Sequence, residues 1–544
     1  MNELNALIGQ KQISKAKILK ENLKLKVKIN KINISRKKTR NKYIAFGLGI
    51  FTFLFLCFIF ILKLKKRQNP IVIESNESNK SSPNTNKVIS KAEEIYKTIQ
   101  SYEKNFNDTG CNHLDPINIF KQRLDSNPTT ICENGDSKHI CYKDDNYIFV
   151  AKNGVFCEFQ NIILDPSKWS GDGNTYKGPM DPSNRGCPLL SKGFFNMKCK
   201  NGSMTEYGGY DFIYNNYFNG WNYQYDEYEN EINQLEEYAP GKTIFFISRN
   251  QDSPNLYHGG SEFVNALSFM YLLNLNPEDI QVIFLESIII NDDPFYDLYK
   301  NLIGRAGDPI HVRNLTKKYR VSSGIHVPIN WDSPCFISAS LYNCGNHPTK
   351  TYYLYNKLID TYMTPKNYTD LFKSDKEVYY YPESIINAAN KDKNIFNKKI
   401  TFQWRRVWPK GRQGQFRILG NGPELADKLA SLLPKNILLR LIDTAGLNID
   451  EQISIMRSTD YFVGIHGAGL SLSIYSPPHC IFHEVLHAPN MNGLSLFAAT
   501  SGHKVYKDII SAEVRSVDGN ENIFFNVDTF ANKVIQHLKE NNLI

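Results

Sequence analysis

Beyond residue 67 this chain has no surplus of positive charge. Its formal net charge is +9, but residues 1–67 hold 17 Lys and Arg against 2 Glu, a surplus of +15, so the remaining residues sum to −6. A nucleic-acid binder needs a broad basic face to neutralise phosphates, and a mildly acidic body excludes that class. Charge of either sign is missing from "YIAFGLGIFTFLFLCFIFIL", Tyr43 to Leu62. The C-terminal "KENNLI" shows no retrieval tetrapeptide. "IFHEVLHAP", Ile481 to Pro489, contains H-E-x-x-H, the signature of zinc proteases, yet Gly493 stands where a metzincin would place its third His.

The uncharged run is about 20 residues, which at 1.5 Å per residue crosses about 30 Å of hydrocarbon. A cleaved signal peptide would have an apolar region of about 7–15 residues ending in small residues; this run is longer and ends in "KLKKR". A retained anchor over 43–62 is the expectation. Thirteen Lys and Arg precede it and four follow closely, so the positive-inside rule puts the N-terminus in the cytoplasm. The remainder is then lumenal, in a single-pass type II protein of the Golgi or endoplasmic reticulum membrane. N-x-S/T acceptors at Asn76, Asn79, Asn107, Asn201, Asn314 and Asn367 agree with that compartment, as do nine Cys beyond the anchor. Cys335 and Cys344 can close a short loop, and the odd count leaves at least one thiol.

Texture divides the chain into a cytoplasmic tail (1–42), the anchor (43–62), a polar stem (63–102), a Cys-rich part (103–240) and two α/β regions (241–395 and 396–544). In the first α/β region, "KTIFFIS" reads as a buried strand, "SEFVNALSFMYLLNL" as a helix and "IQVIFLES" as a second strand. The second repeats the pattern with strands in "KKITFQW", "NILLRLID", "DYFVGIH" and "CIFHEVL", and helices in "GPELADKLASLLP" and "NIDEQISIMRST". Alternating strands and helices with continuous apolar runs predict parallel layers, with a ligand at the carboxyl ends of the strands.

Two stretches carry chemistry. In "FVGIHGAGLS" a buried strand runs into His466, Gly467, Ala468 and Gly469, and a helical pattern begins near Leu470. Small residues let a ligand approach the backbone, and free N–H groups at a helix start attract a diphosphate. "WRRVWPKGRQGQFRILGN" puts Arg405, Arg406, Arg412 and Arg417 just after the first strand of the same region, where guanidinium forks suit phosphate oxygens. The prolines around "IFHEVLHAP" favour a strand there. On a strand His483 and His487 lie about 13 Å apart, too far to share a zinc.

The block "EQISIMRSTDYFVGIHGAGLSLSIYSPPHCIFHEV", Glu451 to Val485, resembles the signature of glycosyltransferase family 61. Arg405 or Arg406, then Arg417, Asn421, Glu424 and Leu425, fit the family's preceding Arg…Arg-x3-Asn-x2-Glu-Leu pattern, and "NLYHGGSEFVNAL" is similar to its earlier segment with a His before a helix. The resemblance implies a GT-B-like architecture of two Rossmann-like domains facing a cleft, behind the membrane helix and stem. It implies inverting transfer from a UDP-sugar, GlcNAc or a pentose such as xylose, to a protein or polysaccharide acceptor. The donor would be held by Arg405, Arg406, Arg417, Asn421, His466, Gly467, Ala468, Gly469 and Leu470, with Glu484 on the ribose hydroxyls. His258, Asp252 and Glu262 are the candidate bases. No cofactor is required and no metal ligand is assigned; metal dependence stays open.

Overall fold

The computed structural model describes residues 90–101, 115–125, 128–134, 137–142, 156–169, 190–199, 219–248, 256–286, 293, 295–327, 348–363, 378–392, 394–406, 417–488, 495–517 and 519–544. The expected tail and anchor, most of the stem, Asp252, Arg412 and the Cys335–Cys344 pair lie outside them. Among the described residues no helix is long and apolar enough to cross a membrane.

The first sheet is mixed. Four strands form its parallel part: β6 (Thr243–Ile247), β7 (Ile280–Phe284), β8 (Ile310–His311) and β9 (Tyr319–Val327), in the order β9-β6-β7-β8. Every residue of β7 is buried, as expected of a strand covered on both faces. Three antiparallel strands extend the sheet beyond β9: β3 (Phe156–Leu164), β2 (Ser137–Tyr142) and β1 (Thr129–Asn134). Two short strands, β4 (Phe195–Asn196) and β5 (Trp221–Asn222), attach to β3. The Cys-rich part therefore supplies five strands to this sheet, which runs across position 240. Disulfides Cys141–Cys157, between paired residues of β2 and β3, and Cys132–Cys199 fasten the extension.

The second sheet follows the order β10-β13-β11-β14-β15-β16, from Tyr379–Tyr380, Ile437–Ile442, Lys398–Gln403, Tyr461–Ile465, Ile481–Leu486 and Lys504–Ile509. All its pairs are parallel except β10–β13. A third, small sheet joins β12 (Ile418–Leu419), β18 (Asn520–Phe525) and β17 (Ala512–Val517).

Nine helices are named here: α1 (Lys91–Ser101), α2 (Pro116–Leu124), α3 (Leu256–Leu272), α4 (Lys350–Tyr362), α5 (Glu383–Lys391), α6 (Gly422–Leu432), α7 (Ile449–Arg457), α8 (Ser495–Thr500) and α9 (Val527–Glu540). Local signals set several starts. Pro423 opens α6, Asn448 and Glu451 form a reciprocal capping box on α7, and the Asn526 side chain accepts from Thr529 N at the start of α9. One apolar core joins the layers. Phe263, Leu267 and Met270 of α3 share it with Leu470, Leu472, Ile474 and Tyr475, which follow β14. Each such buried side chain stabilises the fold by about 1.5–3 kcal/mol.

Candidate active site

Numbered along the chain, the parallel strands of the second sheet run β13-β11-β14-β15-β16, or 2-1-3-4-5. The order reverses between β11 and β14. Their connections leave in opposite directions, and that opens a crevice at the carboxyl ends of these two strands. β11 ends at Gln403, followed by Trp404, Arg405 and Arg406; β14 ends at Ile465, followed by His466 and the small-residue loop.

The glycines make room for side chains arriving from β11. A Cβ on Gly467 would overlap Arg405 Nη1, and one on Gly469 would overlap Gln403 Nε2. Gly464, paired with Gln403, has Leu470 Cδ2 2.8 Å from its would-be Cβ. Arg405, half-buried, thus lies against the loop. Arg406 is exposed, with its guanidinium 4.7 Å from the Trp404 ring centroid. The structure distinguishes two arginines that the sequence left equivalent. The helical pattern expected there is a 3-10 helix, Ala468–Tyr475, and Leu470 N donates to Gly467 O at 2.9 Å. The Leu470 N–H is therefore spent inside the loop, and its side chain is buried in the core.

His466 and Glu484 meet across β14 and β15. Gly464 pairs with Glu484, and His466 N donates to Val485 O at 2.9 Å. His466 Nδ1 lies 2.6 Å from Glu484 Oε1. A carboxylate only accepts, so Nδ1 carries a proton directed at Glu484 and Nε2 faces away from it. Glu484 is 0% exposed and stands behind His466, where its carboxylate orients the imidazole.

Arg417 stands at the start of β12 with φ +65°, a left-handed conformation rare for a residue with a side chain. Burial lowers its pKa, opposed by the nearby negative charges of Glu521 and Glu484. His487 lies just past β15, with Nε2 4.0 Å from Glu521 Oε1. Burial pushes the His487 pKa down; Glu521 opposes this, while Arg417 and His466 add to it. His466, Glu484, Arg417, His487 and Glu521 thus form one electrostatic cluster. Sequence reasoning missed the last two. His487 was read only as part of H-E-x-x-H, and nothing local marks Glu521, which β18 brings in from about a hundred residues downstream of Arg417.

Asn421 is placed elsewhere. Its Nδ2 donates to Phe525 O at 2.9 Å and its Oδ1 accepts from Phe525 N at 3.3 Å. Both ends of the carboxamide fasten β18. Ala468 remains at the loop, half-buried. Of the candidate bases, Glu262 is 1% exposed within α3. His258 lies in the first turn of α3 with its side chain outside the described residues, as is Asp252.

H-E-x-x-H does not assemble on one metal. His483 and Glu484 are consecutive on β15 and point to opposite faces, His483 Nδ1 to Tyr461 OH at 2.8 Å and Glu484 to His466. His487 belongs with Glu521 and Arg417.

No curated protein matches the chain. Residues 256–482 match the model of the family described as Glycosyltransferase 61. The match runs from the start of α3 into β15, so it contains Arg405, Arg417 and the small-residue loop and ends just before Glu484. Residues 256–482 of the chain are thus a region of the glycosyltransferase 61 type, and the activity that this similarity implies is that of a glycosyltransferase.

Proposed function

We propose that the crevice between β11 and β14 holds a UDP-sugar, and that the chain is an inverting transferase of GT-B-like architecture. The sugar is GlcNAc or a pentose such as xylose, and the acceptor is a protein or glycan of the secretory pathway. The anchor over 43–62 holds the enzyme in the Golgi or endoplasmic reticulum membrane with its catalytic part in the lumen. The observation that carries the donor reading is Arg405 lying against Gly467, beside the Glu484-held His466, at the point where strand order reverses.

In the reaction, the acceptor hydroxyl loses its proton to a base and its oxygen attacks the anomeric carbon from the face opposite UDP. The bond from that carbon to the diphosphate oxygen breaks, and the configuration inverts. Arg405, Arg417 and the N–H groups of Gly467, Ala468 and Gly469 take up the charge that develops on the diphosphate. His466 presents Nε2 to the donor. The base is assigned to His258, because α3 faces the same loop segment and Glu262 is buried. Metal dependence is not part of the proposal. Full-length chain in detergent, offered a panel of UDP-sugars with product detection by mass spectrometry, should release UDP from one or a few of them. Failure with every common UDP-sugar, together with no UDP-induced change in thermal stability, would contradict the reading.

A further inference from the structure

Three ligating side chains converge on the other face of β15, away from the donor crevice. They are His483 of β15, Asp508 of β16 and His537 of α9, with their ligand atoms within 4.8 Å of one another. Asp508 Oδ2 lies 2.6 Å from His537 Nε2 and 3.1 Å from His483 Nε2. His483 is 0% exposed, and its Nε2, though 3.1 Å from Asp508 Oδ2, makes no hydrogen bond of good geometry, so a buried ring nitrogen faces the cluster. Each histidine is held from behind: His483 Nδ1 by Tyr461 OH at 2.8 Å, and His537 Nδ1 by Glu540 Oε2 at 3.3 Å. Outer partners on Nδ1 that leave Nε2 aimed at a common point are the usual support of metal-binding histidines. The Tyr506 ring stacks on His537 with centroids 3.8 Å apart. Lys533 Nζ lies 3.8 Å from Asp508 Oδ1.

We propose that His483 Nε2, His537 Nε2 and Asp508 Oδ2 bind a divalent transition metal of zinc's class. Two imidazoles and one carboxylate are a ligand set that zinc accepts at about 2.0–2.2 Å, with water in the fourth position. Asp508, whose side chain is 18% exposed, gives the ion its route in. The metal fastens the C-terminal helix α9 to the edge of the second sheet. It does no chemistry on the sugar, and the donor-site reading stands or falls without it.

The test uses untagged full-length chain in detergent, purified without chelator and analysed for metals by mass spectrometry. About one zinc per chain is expected, falling to background in His537→Gln and Asp508→Asn and unchanged in His487→Ala. Circular dichroism of each variant reports folding. Independently of any variant, wild-type chain stripped by dialysis against chelator should gain thermal stability on adding zinc. With cobalt it should show the visible absorption of a four- or five-coordinate ion. Metal lost in His487→Ala but kept in His537→Gln would overturn the proposal in favour of the H-E-x-x-H set. Absence of bound metal, with no zinc-induced stabilisation and no cobalt band, would overturn it in favour of a hydrogen-bonded triad.

Discussion

At the scale of single residues, the site turns on two pairs that look alike in the sequence. Arg405 and Arg406 are adjacent and chemically identical, yet one lies on the small-residue loop and the other on the Trp404 ring. Which of them reaches the loop depends on how the strand end twists, and spacing cannot reveal that. His466 and Glu484 are 18 residues apart, and only strand pairing joins them. Glu484 was legible as important but not as buried. It is a positioning residue. Glu484→Gln keeps a hydrogen-bond acceptor near Nδ1 and removes the charge, so kcat should fall about 10- to 100-fold with KM much less affected. Steady-state kinetics checks this split; a rise in KM at constant kcat would instead put Glu484 in donor binding.

At the scale of elements, the second sheet was the more readable half. The strands expected in "KKITFQW", "NILLRLID", "DYFVGIH" and "CIFHEVL" are β11, β13, β14 and β15, and the two helices between them are α6 and α7. Continuous apolar runs and cap residues mark these elements locally. The pairing of strands β1–β5 was illegible because β3 reaches its partner β9 across more than a hundred and fifty residues, and short stretches among cysteines carry no period. β17 is exposed along nearly its whole length and β18 buries only Ile523 and Phe525, so neither offers a buried run. Asn421 shows how an element can claim a motif residue. Asn421→Ala strips the Phe525 N–H and C=O of their partner in a buried place, so it should cost about 1–3 kcal/mol of stability. UDP affinity should stay unchanged; denaturant melts and calorimetric titration measure the two effects separately.

The antiparallel extension makes a pH prediction. His139 of β2 is fully buried against Trp221, with ring centroids 4.0 Å apart, and its Nδ1 is 3.0 Å from Tyr223 OH. Burial, helped by the charge of His326, pushes its pKa down to about 3. The ordinary histidine value is about 6.5. A folded-state value below the unfolded one means that the stability is fully present above about pH 6.5 and is lost as pH falls toward 3. His139→Phe keeps an aromatic ring on Trp221 and removes the titration. Between pH 6 and 4 its stability should therefore fall less steeply than wild type, by about 1.4 kcal/mol per pH unit.

At the scale of the molecule, the described residues fall in one compact unit, Lys87–Ile544. The sequence suggested two α/β regions meeting at a cleft. The structure adds that α3 and the 3-10 segment after β14 share one apolar core, with Tyr355 OH 3.2 Å from Tyr475 OH at its centre. A shared core couples the two sheets, so scanning calorimetry should give one cooperative transition for them; two resolved transitions would mean that the halves unfold separately. The same contact sets the small-residue loop between the two layers. The most direct test is UDP affinity by calorimetric titration of wild type, Arg405→Ala and Arg406→Ala. A donor site at the carboxyl ends of β11 and β14 predicts about tenfold or greater weakening for Arg405→Ala and about twofold or less for Arg406→Ala. Unchanged affinity in Arg405→Ala, with wild type binding UDP, would contradict it.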